Sequence, residues 1–212
     1  MLRFIYADEL YKYGTLGQEM FRDRAEQFRD RLGWDVLVDA DGQEMDEYDQ
    51  LNPLYVIWEM PNGRHGGSMR FLPTTGRTMI NDIFPHLNNG VKVQSPLIWE
   101  CTRFCLAADA GPNVAAALML GGGEIMTGFN VEFFAGVFDR RMVRIYRAIG
   151  ASPEILGSEG EGKDRISLGL WSFSPEHQRA VARRAGISPE LSRLWFKRAF
   201  GEKSTPPLSL TA

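Results

Sequence analysis

The residues best suited to chemistry gather in the first half of the 212-residue chain. Arg24 and Phe28 stand one helical turn apart and share a face, with Gly33-Trp34 just beyond. An arginine on the same stripe as a core aromatic either finds an acidic partner, because an unpaired buried cation is costly, or lays its stem along the surface with its head in water. Asp46 and Asp49 lie in the acidic run Gln43–Asp49, a pattern that also suits a solvated loop. Arg70 directly precedes Phe71-Leu72-Pro73-Thr74-Thr75-Gly76. Glu100 and Arg103 sit in the apolar stretch Trp99–Phe104. Their odd spacing puts them on opposite faces of an ideal strand, so a bulge or twist must intervene if both serve one site. Three arginines and the three carboxylates of Asp46, Asp49 and Glu100, set among aromatics, suffice for an ion-paired cluster beside a cleft. In such a place a buried carboxylate can act as a base and an aromatic face can hold a cation.

Regular elements must bring these side chains together. Leu2 to Tyr6 reads as a strand. Gln18 to Leu32 reads as an amphipathic helix, with Met20, Phe21, Ala25, Phe28 and Leu32 at helical spacing and Gly33 at its end. Trp34 to Val38 is a brief extended piece. Leu54 to Met60 and Ser68 to Leu72 form a hairpin across a Gly- and Pro-rich turn. Pro96 to Ala107 is a further strand. Asn113 to Met126 is helical, although Gly121, Gly122 and Gly123 weaken it for no reason visible in the sequence. Asn130 to Val137 and Ile166 to Phe173 are strands, Asp139 to Ile149 is a helix, and Gly157 to Lys163 reads as a surface loop. Two last helices, Pro175 to Ala185 and Pro189 to Phe200, each carry a Pro in the first turn and a Ser before it. This order implies an α/β or α+β fold, a single sheet flanked by helices.

Composition narrows the function. With 44% hydrophobic and 24% charged residues and no linker-like break, residues 1–200 form one domain, and 201–212 form a short polar tail that can stay disordered. A net charge of -3 argues against a general nucleic-acid binder. Cys101 and Cys105, four apart in one strand, should share a face and remain free thiols in a reducing cytosol. His65, His86 and His177 are too scattered to complete a metal site with them, so no metal is expected. No leader peptide and no spanning apolar run is visible, so the expected setting is cytoplasmic, without a membrane.

The spaced residues together resemble the acyl-homoserine-lactone synthase (autoinducer synthase) family. The match lies in Arg24-x-x-x-Phe28, Gly33-Trp34, Asp46-x-x-Asp49, Arg70 before Pro73-Thr74-Thr75-Gly76, and Trp99-Glu100-x-x-Arg103-Phe104. Arg77, where the family often has Pro, and the triple glycine depart from the pattern. The resemblance implies a fold like the general N-acetyltransferases (GNAT): a twisted mixed sheet between helices, split by a V-shaped cleft that admits an acyl-pantetheine. It implies an acyltransferase that makes quorum-sensing signals. The amine of S-adenosylmethionine attacks an acyl thioester. The methionine carboxylate then displaces methylthioadenosine and closes a homoserine lactone. S-adenosylmethionine is thus a substrate, and no cofactor is expected.

Within that resemblance Glu100 and Arg103 are the expected catalytic residues, Glu100 as base or as an orienting group for an arginine. Arg24, Phe28, Trp34, Asp46, Asp49, Arg70 and Arg103 are expected to form the S-adenosylmethionine site and its supporting ion pairs. Backbone N–H groups after Arg103 are the expected oxyanion holders. The acyl donor implies an acyl carrier protein, with acyl-CoA as the other option. Arg140, Arg141, Arg144 and Arg147 offer a basic helix for an acidic carrier, with Arg179, Arg183 and Arg184 as another surface. Met119, Met126, Phe129, Phe133, Phe134 and Phe138 are candidate linings for the acyl chain. Two rival readings are a coenzyme-A-dependent GNAT enzyme, whose pyrophosphate loop does not fit Ala107–Pro112, and a non-catalytic ligand-binding module of the same fold.

Overall fold

A computed structural model describes residues 1–201; the expected C-terminal tail lies, beyond Gly201, outside the described residues. Seven strands form one mixed sheet in the order β1-β2-β3-β4-β5-β7-β6. They are β1 (Leu2–Tyr6), β2 (Leu54–Glu59), β3 (His65–Pro73), β4 (Ile98–Leu106), β5 (Phe133–Asp139), β6 (Glu154–Glu159) and β7 (Ile166–Trp171). All pairings are antiparallel except β4–β5. Among the described residues six α-helices accompany them: α1 (Leu16–Ala25), α2 (Met79–Asp82), α3 (Val114–Phe129), α4 (Arg140–Ile149), α5 (Pro175–Ala185) and α6 (Pro189–Phe200). Among the described residues no helix is long and apolar enough to cross a membrane.

Strand alternation assigns the two faces. Leu2, Phe4, Leu54, Val56, Met69 and Phe71 pack against Val114, Leu118, Ile125 and Phe196 of α3 and α6. Their neighbours Ile5, Tyr55 and Ile57 pack against Leu16, Met20 and Phe21 of α1 on the opposite face. The last helices begin as their sequences direct, with the Ser174 and Ser188 hydroxyls accepting backbone N–H bonds from His177 and Leu191.

Three differences from what the sequence implies have physical causes. The first helix does not stay α-helical to Leu32; from Glu26 to Arg31 it widens into a π-helix, ended by Gly33 at φ +67°. Trp34 to Val38, the expected brief extended piece, touches the rest of the chain by a single bridge, Val38 to Glu44, and joins no strand of the sheet. Part of the expected loop, Gly157–Glu159, is instead the end of edge strand β6, which is largely exposed and so carries no apolar alternation to announce it. Finally, the register of β3 with β4 shifts between Ser68 and Arg70, and Arg103 takes the left-handed conformation at φ +53°. This bulge turns the chain over, so Cys101 joins the α3 side while Cys105 comes under the influence of Asp23 and Arg24 of α1. The two cysteines therefore do not share a face. Both are free, and burial pushes both thiols well above their ordinary range.

The parallel contact of β4 with β5 lasts only three pairs, Ile98–Phe133 to Glu100–Ala135. Beyond it the strands part, β4 staying with β3 and β5 with β7, and the sheet is split open at its centre.

Candidate active site

The spacing Asp46-x-x-Asp49 is the start of a 3-10 turn, Glu47–Leu51. The Asp46 carboxylate accepts the Tyr48 and Asp49 N–H groups, and the Asp49 carboxylate accepts the Asp46 N–H in return. This reciprocal cap orients both acids independently of the arginines they pair with.

The arginines then close a ring. Arg24 donates from Nε to Glu44 at 2.6 Å and grips Asp49 with both terminal nitrogens at 3.0 and 2.9 Å. Arg70 lies 2.9 Å from Asp49 and donates to Asp46 at 3.0 Å. Arg103 lies 2.7 Å from Asp46 and donates to Glu44 at 2.9 Å. Each acid bridges two arginines and each arginine two acids, so three positive and three negative charges alternate and cancel. Burial alone would raise Asp49, but Arg24 and Arg70 override it and hold this carboxyl far below the usual carboxylate range. Tyr55 and Thr102 add hydrogen bonds to Asp49 and Arg70.

The sequence reading put Glu100 in this cluster as its third acid; the structure puts Glu44 there. Glu44 is wholly buried. Glu44 belongs to the same acidic run as Asp46, and it is held by a bridge to Val38 and an N–H bond to the Phe21 carbonyl of α1, a pairing across the chain that the run itself does not disclose. Glu100 stands apart. It is 1% exposed, and its carboxylate accepts the Met79 and Ile80 N–H groups at the start of α2. Burial outweighs those bonds and the field of Arg70, and pushes its pKa up to about 7. The bulge supplies the reorientation that the odd spacing requires, so both Glu100 and Arg103 line one cavity.

That cavity, about 950 Å³, is touched by Phe28, Trp34, Glu44, Asp46, Glu100 and Arg103 at one end. Phe28 and Trp34 stack with ring centres 5.1 Å apart, and the Arg103 guanidinium lies 5.5 Å from the Phe28 ring centre. Arg24, Asp49 and Arg70 do not reach the cavity; they lie behind its wall and brace it. Through the split in the sheet the cavity continues into an apolar chamber that includes Met119, Met126, Phe134 and Phe138 as expected. Phe129 and Phe133 are not part of its lining. Phe129 stacks instead on Trp99 and packs edge-on against Phe196 and Phe200.

Other expected groups have different duties. The Thr74 hydroxyl bonds the Ile98 carbonyl at 2.7 Å, and Gly76 N–H closes a turn on Pro73, so this motif ties β3 to β4. Arg77 is exposed, pairs with Asp82 and covers Tyr48. Gln27 spans Leu106 N–H at 2.9 Å and Phe104 C=O at 2.8 Å, which removes Leu106 from the backbone donors available to an oxyanion. On α4, Arg140, Arg141, Arg144 and Arg147 are all exposed, and Arg141 also lines the cavity mouth and pairs with Asp139 at 2.9 Å. Among the described residues no group of three or more His, Cys, Asp or Glu side chains could hold a metal ion.

A sequence-family profile described as autoinducer synthase matches residues 8–181. An acyl-homoserine-lactone synthase of Rhizobium etli is 40% identical over 195 residues, 89% of this chain and 91% of that protein. Among solved structures, the CoA-dependent acyl-homoserine lactone synthase MesI superposes with a TM-score of 0.78 at 23% identity, over 89% of this chain and 96% of that one. The CoA-dependent synthase BjaI with SAM and isopentyl-CoA gives 0.76 at 22%, over 88% and 90%.

Proposed function

The chain belongs to the autoinducer synthase family, and from that membership and its cavity we infer that it is an acyl-homoserine-lactone synthase. It transfers an acyl group from a thioester to the amine of S-adenosylmethionine, then closes the lactone with release of methylthioadenosine. The observation that carries this reading is one continuous cavity, charged and aromatic at the ion-ring end, apolar beyond the split sheet, with Glu100 on its wall.

The chemistry follows from that arrangement. The sulfonium nucleoside sits against the Phe28–Trp34 pair, where an aromatic face attracts a cation by roughly 0.5–2 kcal/mol. Arg103 is the ring arginine that reaches the cavity, so it meets the substrate carboxylate. The substrate ammonium must lose a proton before it attacks. Glu100, near 7, accepts that proton directly or through one water, because its affinity matches the working pH. The thioester carbonyl is attacked, the thiol leaves, and the acyl chain lies in the apolar chamber. For lactone closure the ring holds the carboxylate close to the γ-carbon, in an enclosed space that favours the displacement.

The donor is an acyl carrier protein that docks on Arg140, Arg144 and Arg147. Support comes from their exposure on α4, next to the cavity-lining Arg141. An acyl-CoA uses the same chamber without that surface. Mass spectrometry of medium from expressing cells tests the reading: an acyl-homoserine lactone supports it, whereas a linear acyl amino acid or acylated amine, or no product, contradicts it.

A further inference from the structure

Helix α3 runs through the core with Gly121, Gly122 and Gly123 in succession, all buried. None of the three has a positive φ, so backbone conformation does not demand glycine there. Alanine in their place would make a better helix. Their neighbours give separate reasons. A Cβ on Gly121 would come within 2.7 Å of Val56 Cγ1, so this glycine lets the helix lie close on the sheet, and it does not touch the cavity. A Cβ on Gly122 would stand 3.3 Å from Phe134 Cε2 and 3.7 Å from Met69 Cε and Phe71 Cζ, all three on the chamber wall. A Cβ on Gly123 would fall 1.9 Å from Phe173 Cε1; the ring of Phe173 occupies the place of the missing side chain. Gly122, Gly123 and Phe173 all line the chamber.

We propose that Gly122 and Gly123 are specificity-determining residues that set the room available in the acyl chamber, Gly122 by letting Phe134, Met69 and Phe71 close on the helix instead of being pushed into the chamber, and Gly123 by letting Phe173 recess into the helix. The inference rests on the acyl reading of the chamber given above. It follows that the chain accepts acyl groups longer than a chamber with side chains at these positions could hold. A methyl that pushes a wall ring inward removes room for about one methylene of substrate, and one methylene in a tight apolar pocket discriminates by about tenfold or more.

The test uses the purified chain, S-adenosylmethionine and a series of saturated acyl-CoA and acyl-carrier thioesters of increasing length. Gly122→Ala and Gly123→Ala should lower kcat/KM for the longest accepted chain, relative to a homologue two carbons shorter, by about tenfold or more. Phe173→Ala, alone or in the Gly123→Ala background, should restore or extend the longer chains. Gly121→Ala should melt earlier yet keep the length profile. An unchanged profile in folded Gly122→Ala, or in Phe173→Ala should the glycine variants not fold, overturns the inference while leaving the synthase reading intact. Wild-type protein that forms no lactone from any donor overturns that reading and the inference with it.

Discussion

Glu44→Gln tests whether the ion ring is a single structural unit. The substitution keeps the size of the side chain but leaves three arginines facing two carboxylates, and it turns an amide N–H2 toward a guanidinium. The Arg24 and Glu44 side chains are each 1% exposed, so water cannot replace the lost charge. Removing one partner of a buried pair costs about 3–5 kcal/mol. In a chain of this size each kcal/mol lowers the melting temperature by roughly 2–4 °C. Thermal unfolding followed by circular dichroism should therefore show a fall of roughly 6–20 °C. The loss should persist in high salt, because buried charges are little screened. The exposed Arg29–Asp30 pair is the control; Asp30→Asn should leave the melting temperature nearly unchanged. A melting temperature for Glu44→Gln close to that of wild type, or a loss abolished by salt, would refute the closed-ring account.

The remaining expectations concern catalysis and docking. Activity should rise with pH through a midpoint near 7 as Glu100 gives up its proton, and Glu100→Gln should lose this limb and most of kcat while KM for S-adenosylmethionine changes little; near-normal turnover removes Glu100 as base. Because its folded pKa lies above the ordinary carboxyl value, Glu100 makes the folded state bind more protons than the unfolded one, so wild type loses stability as pH rises from about 4.5 to 7. The melting temperature of Glu100→Gln relative to wild type should accordingly improve between pH 5 and pH 8, and a constant difference would contradict the raised pKa. Trp34→Ala should raise KM for S-adenosylmethionine several-fold and leave KM for the acyl donor alone, consistent with a cation–aromatic contact of roughly 0.5–2 kcal/mol; a change confined to the donor would move Trp34 out of the nucleoside site. Charge reversal at Arg140 and Arg144 should raise KM for an acyl carrier protein but not for acyl-CoA, and an unchanged carrier KM would place docking elsewhere, as at Arg179, Arg183 and Arg184.

What could be read from the sequence was whatever depends on near neighbours. The caps Ser174 and Ser188, the hairpin of β2 and β3, and the first part of the apolar stripe, Met20, Phe21 and Ala25 on α1, are all local patterns, and they appear where expected. Six ionic residues of the motifs also come together near one cavity. What depends on long-range packing was hidden. Glu44, two residues before Asp46 in the acidic run, is carried into the ring by a bridge to Val38 and a bond to Phe21, contacts that its own spacing does not reveal. The bulge at Arg103 was anticipated as a need, yet its effect on Cys105 was not, because a one-residue shift reverses every side chain beyond it. The glycine run makes no sense as a helix sequence until Val56, Phe134 and Phe173 are placed against it.

The most direct test is a product balance with purified protein, S-adenosylmethionine and an acyl thioester, with methylthioadenosine and lactone quantified together. The proposed synthase reaction, with Glu100 as its base, predicts equal amounts of the two products and little of either from Glu100→Gln. Acylated product without methylthioadenosine, or methylthioadenosine released without an acyl donor, would contradict it.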